Sequence, residues 1–511
     1  MIELSASDIA GATGGTLSAT ASPGSTVDAA TTDSREAAPG ALFIAKPGER
    51  VDGHDFIPAA RAAGATLVLA ERETLDAEGR PDPAVIVDDV VLAMGRLASH
   101  VVQRIREHSP TTVIGITGSA GKTTTKDLLA GVLATDGPTV APQGSYNGEV
   151  GVPLTVFRAA LDTRYLVVEM GADRIGNIEY LASMVKPDIG VVLMVGSAHA
   201  GSFGGVENIA RTKGELVEAL PADGVAVLNR DDARVAAMAG RTGARVAWFA
   251  TEDAAFPLVD ADVASGAAAF SALTTGLTTT EDERPAFELR LGAGTAAEGH
   301  PVVSGLIGRH HAANIAAAAA AAFAAGLPAE RIAAALDGTG PTSRRRMERT
   351  DRPDGVTIIN DAYNANPESM RAALRTLAMI GRSTGRRTWA VLGEMLELGE
   401  ARIAEHTAIG TAVVRLNIDQ LVVVGRGARP LYTSAVNEGS WGEEIDFAED
   451  VEAARELLER RLAPGDVVLV KSSNGAGLGE LGDRLAAAGA ATAGAADGEL
   501  ARTGDRTEGR P

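Results

Sequence analysis

A glycine-rich stretch of seven residues has the composition of a loop that binds phosphate groups. It follows the apolar run 113–116, precedes a helical pattern, and reads Gly118-Ser119-Ala120-Gly121-Lys122-Thr123-Thr124. Glycines let backbone N–H groups approach phosphate oxygens, and the positive end of a helix dipole attracts the same anion. Lys122 can reach the β- and γ-phosphates of a nucleotide, and the Thr123 hydroxyl can bind Mg²⁺. Ile116 stands where the longer common pattern has a glycine, so this is the shorter G-x-x-G-K-T form, which predicts nucleotide binding without specifying a reaction.

Charged side chains stand at or near the ends of several predicted strands and helices. Glu169 ends the apolar run YLVVE, and Asp361 ends VTIIND. His199 follows the run 189–195, Lys213 lies in a helical stretch, and Arg346 is the last of three consecutive arginines. Ligands of parallel α/β sheets bind beyond the carboxyl ends of the strands, so both acids are expected to face a cleft. Taken singly, an exposed loop acid, a solvated lysine or a solvated charge run would explain these residues as well.

Composition limits the class of protein. The 511 residues are too many for one core and suggest roughly three domains. A formal net charge of −20 argues against a nucleic-acid partner, because phosphate backbones attract basic surfaces. The absence of cysteine excludes disulfides, thiolate metal sites and a cysteine nucleophile. The N-terminus lacks the pattern of a secretory signal and the alanine-rich run 312–325 is too short to span a membrane, so a cytoplasmic location is expected.

The first half of the chain divides into two predicted units. Residues 1–109 contain short β-like runs and a helical stretch over 90–107, and Ser109-Pro110 then interrupts the helical pattern. In residues 110–341, continuous apolar strands alternate with helices, which predicts a buried parallel sheet. The Thr-, Asp- and Gly-rich segment 250–305 is predicted to form an antiparallel flap or insertion.

The second half repeats the rhythm of strand and helix. Residues 342–486 carry four apolar strand-like runs with helices between them, which predicts a Rossmann-like sheet. The tail, 487–511, lacks bulky apolar residues and is expected to be disordered. The predicted fold class is therefore α/β, with a central P-loop parallel-sheet domain and a C-terminal Rossmann-like domain.

Together, the short phosphate loop and several later segments resemble the Mur ligase family over roughly residues 25–480. The segments are Asp33-Ser34-Arg35, Asn147 with its neighbours, Glu169, His199, Lys213, Gly308-Arg309-His310-His311-Ala312-Ala313-Asn314, Arg346-Met347-Glu348 and Asp361-Ala362-Tyr363-Asn364-Ala365-Asn366-Pro367. Members of this family have three domains, which bind a UDP-sugar, ATP and the incoming amino acid or dipeptide. The family commonly has a second asparagine where Gly148 stands and an asparagine where His311 stands. Ser473 and Asn474 also depart from the usual basic sequence, so the resemblance assigns no role to the strand-terminal Lys471.

The resemblance implies a site that uses ATP and two Mg²⁺ ions. The metal ligands that it implies are Thr123, Glu169, His199 and Lys213, with Lys213 in the form of a carbamate. The nucleotide-binding residues that it implies are Gly118, Ser119, Ala120, Gly121, Lys122, Thr123, Thr124, Asn314, Arg346 and Asp361. The catalytic residues among these are Lys122, Arg346, Asp361 and Lys213.

The resemblance also implies the two other substrates. The segment Tyr-Asn-Ala-Asn-Pro is typical of the members that add D-alanyl-D-alanine to UDP-N-acetylmuramoyl-tripeptide through an acyl phosphate, giving a peptidoglycan precursor. The substrate-binding residues that it implies are Ser34, Arg35, Asn147, Tyr363, Asn364 and Asn366. The protein is expected to act as a monomer.

Four alternatives remain at the level of sequence. Two are related ligases, namely the member that adds the third amino acid and a folylpolyglutamate synthase; the YNANP and Asp-Ser-Arg segments weigh against both. The third is a regulator or scaffold that binds nucleotide without catalysis, which would not need the residues implied to bind metal. The fourth is a small-molecule kinase, which needs a phosphate loop but no third domain for an amine.

Overall fold

The computed structural model describes residues 1–48, 51–196, 203–293, 299–439 and 443–488. Within those ranges the strands form sheets of two, nine, six and five strands. The five-, nine- and six-stranded sheets lie within residues 16–86, 112–303 and 348–471, and the predicted α/β class is confirmed. The expected disordered tail falls on residues 487–511, which lie outside the described residues except for the last two of a helix over 478–488.

The first unit contains the five-stranded sheet. The strands of this unit are β1 (Leu4–Ser5), β2 (Thr16–Leu17), β3 (Thr26–Val27), β4 (Ala29–Thr31), β5 (Ala41–Ile44), β6 (Leu67–Ala70) and β7 (Ala84–Ile86). Its helices are α1 (Ala6–Thr13), α2 (Ile57–Ala62) and α3 (Val90–His108), with 3-10 turns at Ser34–Glu36 and Gly53–Phe56. The sheet order is β2-β7-β6-β5-β4, with β4 to β7 parallel and β2 antiparallel, while β1 pairs separately with β3.

Helix α3 joins the first unit to the second. The Asp89 side chain caps its N-terminus by accepting a hydrogen bond from the backbone N–H of Leu92. The helix ends at His108 and Ser109 is extended, which agrees with the break predicted before Pro110. Its buried face, which includes Leu97, belongs to one hydrophobic core with residues of both units. The two units therefore share a core at this helix.

The second unit contains the nine-stranded sheet. Its strands are β8 (Thr112–Thr117), β9 (Thr139–Val140), β10 (Tyr165–Glu169), β11 (Ile189–Val192), β12 (Val225–Asn229), β13 (Arg245–Ala250), β14 (Phe270–Thr279), β15 (Pro285–Gly292) and β16 (Gly299–Val303). Its helices are α4 (Lys122–Ala134), α5 (Gly151–Val156), α6 (Asn177–Val185), α7 (Val206–Glu218), α8 (Ala233–Ala236), α9 (Phe256–Ala264), α10 (His311–Ala324) and α11 (Ala329–Leu336), with a 3-10 turn at Ala237–Arg241. The sheet order is β16-β15-β14-β13-β12-β11-β8-β10-β9.

The segment 250–305 is not a flap or an insertion, and that part of the prediction was wrong. Strand β14 pairs in parallel with β13 and then in antiparallel with β15, so the segment continues the central sheet. The first five residues of β14 are buried, which places them in the core of the sheet. Its antiparallel character was predicted correctly, since β15 and β16 are also antiparallel.

One face of the central sheet packs against the alanine-rich helix α10. Its residues 316–322 are fully buried, and their small side chains belong to one core with β8, β11 and β12. A helix that is apolar on all sides is buried inside a protein or inside a membrane. None of the described helices is both long and apolar enough to cross a bilayer.

The third unit contains the six-stranded sheet. Its strands are β17 (Glu348–Asp351), β18 (Thr357–Asn360), β19 (Thr388–Leu392), β20 (Gln420–Val424), β21 (Ile445–Ala448) and β22 (Val467–Lys471). Its helices are α12 (Pro367–Thr384), α13 (Arg402–Arg415), α14 (Arg429–Asn437) and α15 (Val451–Arg461), with 3-10 turns at Gly399–Ala401, Arg426–Ala428 and Asn474–Ala476. The order is β17-β18-β22-β19-β20-β21, parallel except for β17, as predicted for a Rossmann-like sheet.

Candidate active site

The phosphate loop connects strand β8 to helix α4 at the carboxyl end of the central sheet. Helix α4 begins at Lys122, and no side chain caps its N-terminus. The first backbone N–H groups of a helix have no partner within the helix, so this end can donate hydrogen bonds to an anion. The Lys122 Nζ donates to the carbonyl oxygen of Gly118 at 2.8 Å. The lysine is thereby folded back over its own loop.

The backbone conformation and close packing of Gly121 in this loop require glycine. Its φ is +84°, in the left-handed region, and a Cβ added there would lie 2.3 Å from the Asn314 Oδ1. Asn314 in turn lies near the Thr125 hydroxyl and contacts the His311 ring at 3.1 Å. The close approach therefore joins the phosphate loop to the start of helix α10.

We expect Gly121→Ala to destabilise the protein by about 1–3 kcal/mol, because alanine would adopt a strained φ and displace Asn314. Gly131→Ala is the matched control, since Gly131 lies in α4 with nothing within 4 Å of an added Cβ. Alanine in a helix is favoured over glycine by about 0.5–1 kcal/mol, so the control is expected to be stabilised. Thermal unfolding of both variants measures the difference. Equal melting temperatures would contradict the packing described here.

Glu169 is the centre of a buried polar cluster beside the loop. Its carboxylate accepts hydrogen bonds from the Thr123 Oγ1 at 3.0 Å, the Ser145 Oγ at 3.0 Å and the Asn147 Nδ2 at 2.9 Å. The carboxylate thus brings together three segments that are distant in sequence. Ser145 was not predicted as a site residue, although it lies beside Asn147 in the loop after β9.

This cluster fits a magnesium ion. Carboxylate and hydroxyl oxygens are the ligands that Mg²⁺ prefers, and the ion usually takes only one or two carboxylates together with substrate phosphates. Within the part of the chain that the structure describes, no group of three or more histidine or acidic side chains is arranged to hold a metal. His199, predicted as a further ligand, lies outside the described residues. Among the described residues, the Glu169 carboxylate and the Thr123 hydroxyl supply oxygen ligands for such an ion.

Two lysines at the loop, the half-buried Lys122 and the buried Lys213, have lowered pKa values. Burial, and secondarily the charge of Lys122, lower the pKa of Lys213 on α7 to about 7. Burial also lowers the pKa of Lys122, although the nearby Glu169 carboxylate opposes that shift. The amine of Lys213 is thus partly neutral at physiological pH and can act as a nucleophile.

The third unit contacts the phosphate loop directly through Arg346. Its Nη2 donates to the Thr123 Oγ1 at 3.2 Å, and its guanidinium carbon lies 4.4 Å from the centre of the Tyr363 ring. The Arg346 Nε is buried and has no hydrogen-bond partner among the described residues. A buried donor without a partner is costly, and an anion bound here would satisfy it.

Two residues with unfavourable backbone conformations flank Arg346. Its neighbours Arg345 and Met347 have φ values of +59° and +51°, a region that non-glycine residues rarely adopt. The backbone N–H of Arg345 donates to the Glu348 carboxylate at 2.7 Å, and that of Met347 donates to the Asp361 carboxylate at 3.1 Å. Strain of this kind persists where the surrounding contacts maintain it, and it is frequent at functional sites.

Asp361 forms a buried ion pair with Lys471. The Lys471 Nζ lies 2.5 Å from the Asp361 Oδ2 and also donates to the carbonyl oxygen of Asn364 at 3.0 Å. Burial lowers the pKa of Lys471, although Asp361 opposes that shift. The structure therefore gives Lys471 a place in the site, in contact with the carboxylate that also binds the segment of Arg346.

The three substrate residues predicted around YNANP lie near the loop in different roles. Tyr363 packs under Arg346, and Asn364 lines the cleft beside Lys122. The Asn366 side chain caps helix α12 through the backbone N–H of Ser369 and donates to the carbonyl oxygen of Ser119 at 3.3 Å. The oxygen and the nitrogen of the Asn366 side-chain amide therefore both form hydrogen bonds with other residues of the protein.

Two cavities border the phosphate loop at different residues. The first, the nucleotide cavity, has a volume of about 190 Å³ and is bounded by Ala120, Gly121, Thr124, Asn314, Arg346, Asp361 and Lys471, among others. The second, the three-unit cleft, has a volume of about 600 Å³ and is bounded by Lys46 of the first unit, Gly118, Lys122 and Lys213 of the second, and Asn364 and Glu397 of the third. A phosphate on the loop would stand between the two.

Two adjacent histidines border the nucleotide cavity without forming a metal site. The His310 and His311 ring centres are 4.1 Å apart, and both residues lie at the cavity. Burial lowers the pKa of His311 well below its usual value, so this ring is neutral at physiological pH.

Ser34 and Arg35 lie apart from the phosphate loop. They border a third cavity of about 720 Å³, together with Gln143, Tyr146 and Arg158 of the second unit. Arg35 pairs with Asp33 at 2.5 Å, and its side chain is 87% exposed. Ser34 and Arg35 thus lie near Tyr146, which precedes Asn147 in the sequence. Asn147 in turn donates to the Glu169 carboxylate.

Comparison with known proteins agrees with this arrangement. The chain matches the models for the Mur ligase family catalytic domain at 26–101, the Mur ligase middle domain at 116–322 and the Mur ligase glutamate ligase domain at 345–474. It is 44% identical to the UDP-N-acetylmuramoyl-tripeptide–D-alanyl-D-alanine ligase of Mycobacterium tuberculosis, over 95% of this chain and 98% of that protein. It is 34% identical to the Escherichia coli protein of the same name, over 80% and 84%.

Solved structures with the same architecture include MurF from Acinetobacter baumannii. The TM-score is 0.79 at 27% identity, over 95% of this chain and 99% of that one. MurF from Thermotoga maritima in complex with ADP gives a TM-score of 0.72 at 27% identity, over 90% and 97%. Three family models, close relatives over nearly the whole length and these structures agree, and the chain belongs to the Mur ligase family.

Proposed function

We propose that this chain is an ATP-dependent ligase that joins D-alanyl-D-alanine to UDP-N-acetylmuramoyl-tripeptide and so forms the pentapeptide precursor of peptidoglycan. The observation that carries the proposal is the phosphate loop between two cavities, one bounded by Asn314 and Arg346 and the other bounded by all three units. ATP in the first can present its γ-phosphate to a carboxylate in the second. The names of the relatives supply the identity of the two substrates.

The reaction consists of two displacements. A terminal carboxylate oxygen of the tripeptide attacks the γ-phosphorus, the bond to the β-phosphate oxygen breaks, and ADP leaves. The neutral amine of the dipeptide then attacks the acyl carbon, the carbon–oxygen bond to phosphate breaks, and phosphate leaves as the nitrogen loses one proton to give the amide. In the first step two anions meet, so cations fixed in advance at the loop stabilise the transition state. Lys122 and Arg346 supply those cations.

Magnesium binding is part of the proposal. Glu169, Thr123, His199 and a carbamate formed on Lys213 would hold two ions, and Asn314 and Asp361 would contact the nucleotide. When bound, Mg²⁺ neutralises phosphate charge and polarises the phosphorus–oxygen bonds. The hydrogen bonds of Thr123, Ser145 and Asn147 to Glu169 orient the carboxylate for this role.

The proposed units are 1–109 for the UDP-sugar, 110–341 for ATP and 342–486 for the dipeptide. Ser34, Arg35 and Asn147 would contact the UDP-linked substrate, while Tyr363, Asn364 and Asn366 would lie toward the dipeptide. Because the site is assembled within one chain, a monomer is sufficient for the reaction. ATP and a UDP-linked precursor as substrates imply that the protein acts in the cytoplasm.

Lys213 is expected to be required in its carbamate form. A pKa of about 7 leaves the amine neutral above pH 7, where it can attack CO₂ and release a proton. We expect Lys213→Ala to lower activity by at least ~10- to 100-fold. Loss of a residue that only orients a metal ligand already costs that much, and Lys213 is proposed as a ligand itself. Removing CO₂ at pH 8 should inhibit the unmodified protein, and bicarbonate should restore it. Arg211→Ala, on the exposed face of the same helix, is the control.

An intact mass that corresponds to a bare lysine under saturating CO₂, together with full activity in CO₂-free buffer, would contradict this prediction. The pH dependence gives a second check. Because carbamate formation needs the neutral amine, the bicarbonate requirement is expected to increase as the pH falls below about 7.

A panel of amines tests the proposed function. Phosphate release from ATP is measured with UDP-N-acetylmuramoyl-tripeptide and either D-alanyl-D-alanine, single amino acids or no amine. We expect turnover that depends on the dipeptide. Turnover with single amino acids would indicate another ligase of the family, turnover without an amine would indicate a kinase, and binding of ATP without turnover would indicate a regulator.

A further inference from the structure

The second unit contacts the third unit at a hairpin turn as well as at the phosphate loop. The hairpin turn, residues 280–284, connects strands β14 and β15. The Asp282 Oδ1 lies 2.5 Å from the Nη1 of Arg349, which is on strand β17. The Ser383 Oγ, near the end of helix α12, lies 3.0 Å from the carbonyl oxygen of Glu281, within hydrogen-bonding distance. The hairpin turn therefore contacts two separate elements of the third unit.

The same two elements of the third unit begin at the phosphate loop. Strand β17 begins two residues after Arg346, whose Nη2 donates to the Thr123 Oγ1 at 3.2 Å. Helix α12 begins directly after Asn366, whose Nδ2 donates to the carbonyl oxygen of Ser119 at 3.3 Å. Each element thus contacts the second unit twice, first at the phosphate loop and again at the hairpin turn. Two points of attachment restrict how the third unit can rotate on the second.

Hydrogen bonds within the second unit fix the backbone of the hairpin turn. The Thr280 N–H donates to the carbonyl oxygen of Arg284 at 3.0 Å, and the Glu283 N–H donates to that of Thr280 at 2.9 Å. Glu283 is buried with a φ of +59°, a conformation that persists only where surrounding contacts maintain it. Its carbonyl oxygen accepts from the Gly308 N–H at 2.7 Å, and the Thr279 Oγ1 lies 3.2 Å from its carboxylate. The turn is therefore ordered within its own unit.

Arg349 is ordered within the third unit before it meets the hairpin turn. Its side chain is only 18% exposed, and its Nε donates to both carboxylate oxygens of Asp351 at 3.0 Å. Ion pairs on a surface contribute little, in part because two long side chains must be immobilised together. That cost is smaller here, since the arginine is already fixed by a residue of its own strand. Asp282 is the partner of Arg349 that comes from the second unit, so it is the contact that is lost when the two units separate.

We propose that Asp282 is a positioning residue for Arg346, which it holds at the phosphate loop by anchoring strand β17 through Arg349. This inference rests on the proposed function, because the role of Arg346 in phosphoryl transfer is part of it. Arg346 lies three residues before Arg349 in the sequence, so movement of the strand away from the second unit breaks both contacts together. An ion pair that exists only while the units are in contact favours that arrangement over a separated one.

The test is the turnover number of Asp282→Asn with saturating ATP, UDP-linked tripeptide and dipeptide. The amide keeps the shape of the side chain but loses its charge, so we expect turnover to fall by about 10-fold. The melting temperature should be nearly unchanged, because a partly exposed ion pair contributes little to global stability. Asp282→Glu keeps the charge and should retain most of the turnover. Glu281→Gln is the matched control, since its exposed side chain lies in the same turn and its contact with α12 is made by the backbone.

A double variant separates the positioning of Arg346 from a general structural role. If Asp282 acts through Arg346, Asp282→Asn should lower the rate much less in Arg346→Lys than in the unmodified protein, as measured in single turnovers. An equal loss in both backgrounds, or unchanged turnover of Asp282→Asn alone, would overturn the inference. If the unmodified protein does not join the dipeptide to the tripeptide, the proposed function fails. If it does and Asp282→Asn behaves like Glu281→Gln, only the role of Asp282 fails.

Discussion

Lys122→Ala is expected to lower ATP-dependent phosphate release by about 10²- to 10³-fold. The lysine lies on the phosphate loop, and removal of one preorganised group that stabilises transition-state charge costs about 10²–10³ in rate. The other lysine of α4, Lys126, pairs with Asp127 and donates to the carbonyl oxygen of Pro142, so it is not available to replace Lys122. The measurement is the turnover number with saturating ATP, UDP-linked tripeptide and dipeptide.

The same variant is expected to remain folded. Burial lowers the pKa of Lys122, which means that the protonated side chain is less favourable in the folded protein than in the unfolded chain. Removing it therefore should not lower the melting temperature. Arg460→Ala, at an exposed position on α15, is the control for loss of a cation elsewhere. Near-normal turnover by Lys122→Ala would refute the assignment of the loop as the phosphate site.

Arg346→Lys is expected to lower turnover by at least about a hundredfold, even though the charge is kept. The guanidinium stacks on Tyr363 and donates to Thr123, and its buried Nε has no hydrogen-bond partner among the residues that the structure describes. A lysine amine lacks the planar guanidinium group with its several N–H donors, so it cannot make the stacking contact and the hydrogen bond at the same time. An arginine that stabilises a transferring phosphoryl group contributes about 10³–10⁵ in rate, so partial replacement by lysine leaves a large deficit.

Arg344→Lys is the matched control for this change. Arg344 lies two residues away, its side chain is 72% exposed, and it forms an ion pair with Asp483 on the surface. Surface ion pairs contribute little, so its replacement should leave turnover nearly unchanged. If Arg344→Lys and Arg346→Lys had the same modest effect, the role proposed for Arg346 would be wrong.

The parts of the site that are contiguous in sequence were predictable. Strand β8, the loop 118–121 and helix α4 follow one another directly, so the pattern of glycines, lysine and threonine was sufficient to identify them. Glu169 could also be placed, because a charged residue that ends an apolar strand must lie at the carboxyl edge of a parallel sheet. These inferences need only local order and the rules of sheet topology.

The contacts between distant segments were not predictable. Asp361 and Lys471 are 110 residues apart, and they meet because β18 and β22 are neighbours in the third sheet, an order that sequence alone does not determine. Ser145 reaches Glu169 only through the loop between β9 and α5. The segment 250–305 was misassigned because an alternating pattern fits both a flap and the antiparallel edge of a larger sheet.

Backbone strain was also invisible in the sequence. The residue types at Arg345, Met347 and Glu397 do not indicate a positive φ, since arginine, methionine and glutamate usually adopt a negative φ. Their conformations are imposed by tertiary contacts such as the hydrogen bonds from Arg345 to Glu348 and from Met347 to Asp361. The two strained segments lie at the nucleotide cavity and at the three-unit cleft.

The most direct test of the proposed function is the mass of the reaction product. The unmodified protein is incubated with ATP, Mg²⁺, UDP-N-acetylmuramoyl-tripeptide and D-alanyl-D-alanine, and the UDP-linked species is analysed by mass spectrometry. We predict that its mass increases by that of the dipeptide less one water, only when ATP is present, with one phosphate released per product. An unchanged UDP-linked substrate in the presence of ATP hydrolysis, or addition of a phosphate instead of the dipeptide, would contradict the proposal.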